Sequence, residues 1–369
     1  MSARSIIIAG MSHHTQPEQT PDQAAAPHAE SLVTVTRGSL VEARHRGFIA
    51  IADGRGKLTA SLGDVSVRAW SRSAAKPFQA IPLIESGAAD HFRLTPRELA
   101  VITASHSGEE LHLAAVRSII SKTGIDVNDL RCGVHAPFDQ AARLALQAEG
   151  RAPSVLHNNC SGKHAGMLAL ATYLNEPVAD YVNPNHPIQQ RIREVLALFA
   201  GVTASDISVA VDGCSAPVFG LPMAALARSY ARLVAVEQTD LPATLQSAAH
   251  RVITAMTDNP DLIGGTSERL DTDLMRVANG RIISKVGAEG VQLLGVRPCA
   301  DYPHGLGIAI KIEDGDTRRA RDPVVIETLR QLGLLNQIHL AQLERYAHSI
   351  VRNHRQLEVG AVRACFTLP

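Results

Sequence analysis

Ser71-Arg72-Ser73-Ala74-Ala75-Lys76-Pro77 is the stretch whose reading decides the fold. Ser73 and Lys76 stand three residues apart, and on the first turn of a helix such positions share one face. The lysine amine then reaches toward the serine hydroxyl. A hydroxyl is a weak nucleophile at neutral pH and needs a base. Lysine serves as that base only when burial or a second cation lowers its pKa. A helix start adds free N–H groups that stabilise developing negative charge. Trp70-Ser71-Arg72 reads as the end of an extended lead-in, Ala74-Ala75 keep the approach small, and Pro77 fits a first helical turn. Taken alone, the spacing equally fits a helix cap followed by a solvated lysine.

Working outward, 32–38, 47–52, 58–63 and 65–70 read as extended, with Asp53-Gly54 as a hairpin turn. Helical spacing of Ala and Leu then dominates through 97–121, 139–149, 163–174, 187–200, 221–233 and 241–257. Strand patterns return at 281–286, 291–295 and 306–312, helices at 322–335 and 337–351, and a last strand at 357–366. The expected fold is therefore α/β: an antiparallel sheet formed by both chain ends and flanked by helices, with an inserted, mostly helical lobe. The sheet lobe covers about 31–72 and 280–369 and the helical lobe about 73–279, after a disordered tail over 1–30. An S-x-x-K helix, then a serine in the helical part, then K-x-G on a strand is the β-lactamase-like order. Catalytic groups would meet where the two lobes meet.

The composition narrows the field. The 369 residues carry 36 basic and 36 acidic side chains, so no electrostatic footprint for nucleic acid is present. No apolar run approaches a membrane span, and Ile6–Met11 is too short for a signal-peptide core. Five widely spaced cysteines without an export signal point to reduced thiols and a cytoplasmic address. A small-molecule substrate is the expected partner.

Two more segments bear chemistry. Ala104-Ser105-His106-Ser107-Gly108 supplies a second hydroxyl that can relay protons or touch substrate, or else a helix cap. Lys285, on a strand pattern before Gly287, can bring a cation to it. Asn159-Cys160-Ser161-Gly162-Lys163-His164-Ala165-Gly166-Met167 and Val211-Asp212-Gly213-Cys214-Ser215 place two cysteines in polar, turn-rich settings, unlike core thiols. They suit soft metal ligands, with Asp212 as a hard or orienting group, or Cys160 as a nucleophile with His164 as a loose base. Cys132-Gly133-Val134-His135 reads as a turn, and Cys299 and Cys365 as core or strand thiols.

Together, residues 71–77, 104–107, 159–167, 212–214 and 285–288 resemble the rhizobial-type, or class 3, L-asparaginases, and 41–47 and 310–315 follow the same pattern. The resemblance spans about 32–316, in order. It implies a fold like serine β-lactamases and glutaminases, and hydrolysis of L-asparagine to L-aspartate and ammonia. It further implies two Ser-Lys pairs, Ser73 with Lys76 and Ser105 with Lys285, with Ser73 as nucleophile and Lys76 as its base. Cys160, Lys163 and Cys214 would coordinate one zinc ion per chain, with Asp212 close by. Arg72 is then available to a substrate carboxylate, and His106 joins the substrate contacts. The family pattern carries a cysteine fourteen residues before the strand lysine, where this chain has Asp271. Asp271 can pair with a substrate ammonium group or perturb the lysines. A homodimer is a family expectation. The rival readings are a glutaminase, a penicillin-recognising acyl transferase or β-lactamase-like hydrolase, and a non-enzymatic zinc or amino-acid sensor.

Overall fold

Alternation in the strands divides the core into two unlike halves. In Leu40–Asp53 (β2) and Leu306–Ile312 (β9), Ile49, Ile51, Ile308, Ile310 and Ile312 face one side. Phe48, Ala50, Ala52 and Ala309 face the other, because successive strand side chains point to opposite faces. The bulky side packs against helices Leu270–Ala278 and Asp322–Gln331. The small side receives helix Met223–Val234. Gly307 permits that approach: a β-carbon there would run into the Ala227 carbonyl and the Ala231 amide.

The computed structural model describes residues 27–369. Its main sheet runs in the order β10-β11-β1-β2-β9-β8-β7, where β1 is Glu30–Arg37, β7 Ile282–Val286, β8 Val291–Val296, β10 Ser349–Arg352 and β11 Glu358–Ala364. Leu58–Leu62 (β3) pairs with the far end of β2, and the pairings are antiparallel. The sheet thus joins both chain ends, with helices on both faces, as the β-lactamase-like expectation requires. Of the tail expected over 1–30, residues 1–26 lie outside the described residues, and Glu30 already opens β1.

Three local readings are corrected. The helix expected over 97–121 is two, Pro96–Thr103 and Glu110–Thr123. The polar run 105–108 breaks it, and Gly108 adopts a left-handed backbone (φ +77°). The helix expected over 337–351 stops at Ala347 and gives way to β10. Within the helical span, Pro217–Pro222 (β6) pairs on one side with Arg68–Trp70 (β4) and on the other with Ser208–Val211 (β5), in a second sheet ordered β4-β6-β5.

Candidate active site

The turn that carries Ser73 begins where β4 ends. Ser71 ties the chain to β6, donating from both its backbone N–H and its hydroxyl to the Phe219 carbonyl, at 2.8 and 2.9 Å. Arg72 then takes a left-handed backbone (φ +48°), uncommon for a side chain of this size. It opens a short 3₁₀ turn, Arg72–Ala75, that leads into helix Lys76–Glu85. From behind, Tyr230 on the Met223–Val234 helix donates to the Ala74 carbonyl at 2.8 Å. Ser73 is left half-buried, and its hydroxyl has no hydrogen-bond partner among the described residues.

Lys76 turns inward instead. Its Nζ donates to the Ser105 hydroxyl at 3.1 Å, to the Ala104 carbonyl, and at 3.4 Å to the Asn159 carbonyl. Lys285, on β7, donates to the same Ser105 hydroxyl at 2.8 Å. The structure therefore gathers both lysines on Ser105 rather than forming two separate Ser-Lys pairs. Ser105 lies in the break between the two helices, its N–H held by the Ile263 carbonyl at 3.0 Å. Burial lowers the Lys76 amine despite the opposing charge of Cys160. Burial also lowers Lys285; Asp271 opposes, Lys76 and Arg269 add to the fall, and the amine comes to about 7.

A second cluster adjoins the first. Gly162 and Gly166, one turn apart, let helix Ser161–Tyr173 lie directly against Val101 and Ile102. That contact brings Cys160, at the helix start, beside the Lys76 amine. Lys163 Nζ lies 2.9 Å from the Cys214 sulfur. A hydrogen bond from Cys214, helped by Lys76 and Lys163 against burial, holds the Cys160 thiol well below its ordinary value. Cys214 is correspondingly raised by its bond to Cys160 and by burial. Although burial opposes it, the two sulfurs hold the Lys163 amine above its usual value. Two sulfurs and an amine thus converge in a buried cluster, a donor set that suits a soft ion. No group of three His, Cys, Asp or Glu suited to a metal occurs among the described residues, so Lys163 is needed to complete such a site. Burial drives Cys132 to about 12, which marks it as an inert core thiol. Cys299 and Cys365 are exposed, contrary to the core placement expected of them, because both lie beyond strand ends.

Arg72 and Asp212 pair at the site's edge, with Nη2 2.9 Å and Nε 3.2 Å from one carboxylate oxygen. Burial raises the Asp212 carboxyl, but Arg72, Lys163 and the Gly213 N–H together bring it below the carboxylate norm. Any substrate carboxylate must therefore compete with Asp212 for Arg72. His106 is fully buried. Its Nδ1 accepts from the Gly108 N–H at 3.2 Å and its Nε2 lies 2.9 Å from the Ser161 hydroxyl. With both ring nitrogens engaged, it braces the Ser105 loop and offers nothing to a ligand. Asp271 is likewise buried, bonded to Ser284, Val286 N–H and Gln292.

Arg269 was not legible as a site residue. Its guanidinium donates to the Ser105 carbonyl and the Ser107 hydroxyl, both at 2.7 Å, and to the Gly264 carbonyl at 2.9 Å. The adjoining Gly264-Gly265 pair is the one sequence signal of a tight approach there: a β-carbon on Gly265 would collide with the Ser107 and Glu109 side chains.

A serine hydroxyl shared by two buried lysines, with a second serine presented three residues before one of them, is an arrangement suited to nucleophilic chemistry, and it sits in a mixed α/β fold with an antiparallel sheet. The family described as L-asparaginase II matches residues 33–364. The chain belongs to that family, which bears out the resemblance read from its motifs. No curated protein matches it. Among solved structures, Mglu in its native form in the presence of 4.3 M NaCl is 18% identical over 77% of this chain and 60% of that one, with a TM-score of 0.41. This chain therefore spans about 60% of that Mglu chain's length. A probable glutaminase from Bacillus subtilis complexed with 6-diazo-5-oxo-L-norleucine is 15% identical over 78% of this chain and 84% of its own, with a TM-score of 0.36. No helix among the described residues is long and apolar enough to cross a membrane.

Proposed function

We propose that the protein is an L-asparaginase, hydrolysing the side-chain amide of L-asparagine to L-aspartate and ammonia. The observation that carries the chemistry is the Ser105 hydroxyl held by both Lys76 and Lys285. Family membership carries the choice of an amide as substrate.

Ser73, whose hydroxyl is uncommitted and accessible, attacks the amide carbon. Its proton passes to Lys76 and is shared through Ser105 with Lys285, so that two buried amines divide one added proton. The tetrahedral species collapses by breaking the C–N bond, and ammonia leaves with a proton returned along the same chain. Water then adds to the acyl-Ser73 ester, giving up its proton to the relay, and aspartate departs as Ser73 is reprotonated. Arg72 orients the substrate carboxylate as Asp212 yields one of its bonds.

Cys160, Lys163 and Cys214 would hold a zinc ion, which supplies a positive charge that orients a substrate oxygen or a water. The lysine would bind as the neutral amine, releasing its proton on metal uptake.

The test is ammonia release by purified protein from L-asparagine and L-glutamine, side by side, with zinc supplied and with zinc chelated. Turnover of asparagine that exceeds that of glutamine supports the proposal. Preference for glutamine keeps the chemistry and changes the substrate. No release from either overturns the reading.

A further inference from the structure

Asp271 starts the Leu270–Ala278 helix directly behind β7, where the chain departs from the cysteine of the family pattern. Its side chain is almost wholly enclosed. One carboxylate oxygen accepts from the Ser284 hydroxyl and from the Gln292 amide, both at 2.8 Å. The other accepts from the Val286 N–H at 2.9 Å and lies 3.9 Å from Lys285 Nζ. Ser284 and Val286 are the two residues that flank Lys285 on the strand. The carboxylate thus grips the backbone and side chain on either side of the lysine while facing its amine.

We propose that Asp271 is a positioning residue, which anchors β7 so that Lys285 points at Ser105 and which supplies the buried counter-charge for that lysine, and that it does not touch substrate. The inference rests on the amidohydrolase reading of Ser105 and Lys285.

The electrostatics follow from the surroundings. The charged or titratable groups that face Lys285 are Asp271, Lys76, Arg269 and Cys160. Lys76 and Arg269 come from the helical side and both disfavour a second cation. Asp271 is the carboxylate that opposes them. A buried ammonium with two cationic neighbours and only the more weakly acting Cys160 to oppose them would shed its proton well below its wild-type point and would then be a feeble base. Asp271 keeps the amine basic enough to accept the Ser105 proton. The same carboxyl stays ionised despite burial because Lys285 and three donors favour its charged form. Aiming and charge are supplied by one side chain.

The experiment compares the wild type with Asp271→Asn, Asp271→Cys and Asp271→Glu, each checked by thermal unfolding, for ammonia release from L-asparagine as a function of pH. For Asn and Cys the acidic limb of kcat/KM should move to lower pH by about one to three units, the effect of removing an opposite charge at this range. Plateau kcat should fall, and KM should stay close to wild type. Asp271→Glu should return the limb toward its wild-type position. An unmoved limb overturns the proposal, and so does a rise in KM with the limb in place, which is the mark of a substrate contact. Should Asp271→Asn fail to fold, the Cys and Glu variants decide the question. Should the wild type release no ammonia, the site reading fails. Lys285 is then titrated directly through the ¹³C shift of its ε-carbon, and the same downward move on loss of the carboxylate still decides the role of Asp271.

Discussion

Lys285 Nζ lies 2.8 Å from the Ser105 hydroxyl, and Lys76 Nζ lies 3.1 Å from the same oxygen. One hydroxyl shared by two amines cannot be served by two ammonium groups at low cost, since both are buried and like-charged. One amine is therefore the acceptor at any moment. Ser105→Ala, which removes the bridge while leaving Ser73 in place, should lower kcat by about 10²–10⁴-fold, the usual contribution of a positioned proton carrier. Rapid-quench kinetics locate the loss. Ser73→Ala should abolish the covalent acyl intermediate, whereas Ser105→Ala should slow its formation.

The pH dependence follows from the amine that comes to about 7. Lys285 must be neutral to accept a proton, so kcat/KM should rise with pH through about 7 and level off above it. Lys285→Met should erase that limb along with most of the activity. A wild-type profile flat from weakly acid to neutral pH would dismiss Lys285 as the titrating base.

Metal content gives a third expectation. Protein purified with zinc present should hold about one ion per chain, bound by Cys160, Lys163 and Cys214. Cys214→Ser and Lys163→Met should each lower zinc retention on dialysis, measured by elemental analysis. Cys132→Ser should leave it unchanged, because that thiol lies in the core. Equal retention by all three variants would place the ion elsewhere.

A fourth concerns stability. Gly307→Ala must push the Met223–Val234 helix off β9, because the new carbon meets the Ala227 carbonyl and the Ala231 amide. Overpacking of this kind costs about 1–3 kcal/mol. The helix carries Tyr230, whose hydroxyl supports the Ser73 turn through the Ala74 carbonyl. Denaturant titration should thus show a loss of stability, and kcat should fall in step although Gly307 touches no catalytic atom.

Chemistry written in short motifs was legible in the sequence; roles set by burial were not. Ser73, Lys76, Ser105, Lys285, Cys160 and Cys214 stand out in the sequence because hydroxyl, amine and thiol side chains keep unusual company there, and Lys163 enters through the family resemblance; the structure gathers Lys76 and Lys285 on Ser105 and sets Lys163 beside Cys214. Their partnerships were less visible, since Lys76 looks like a neighbour of Ser73 along the chain and reaches Ser105 in space. His106 and Asp271 seemed available to a ligand, and each proves to be enclosed with its polar atoms largely spoken for. The run before the Asp212 turn reads as strand-like and is β5, but β6 escaped notice because Pro217, Gly220 and Pro222 suppress the strand pattern, and its pairing with β4 spans a long sequence separation. Arg269 is a single residue whose importance lies in the two serines it contacts.

That small sheet has a mechanical meaning. At the end of the ladder where Trp70 pairs with Gly220, the chain leaves β4 for the Ser73 turn. At the same end, β5 and β6 are joined by the hairpin that carries Asp212 and Cys214. Three short strands therefore act as a jig that clamps two workpieces at a set spacing. A change of register would carry both off together, while a change of side chain within 213–216 alters one and leaves the other in its clamp; Asp212, bonded to Arg72, couples the two. New contacts can be machined into the tip of that hairpin without retooling the Ser73 turn.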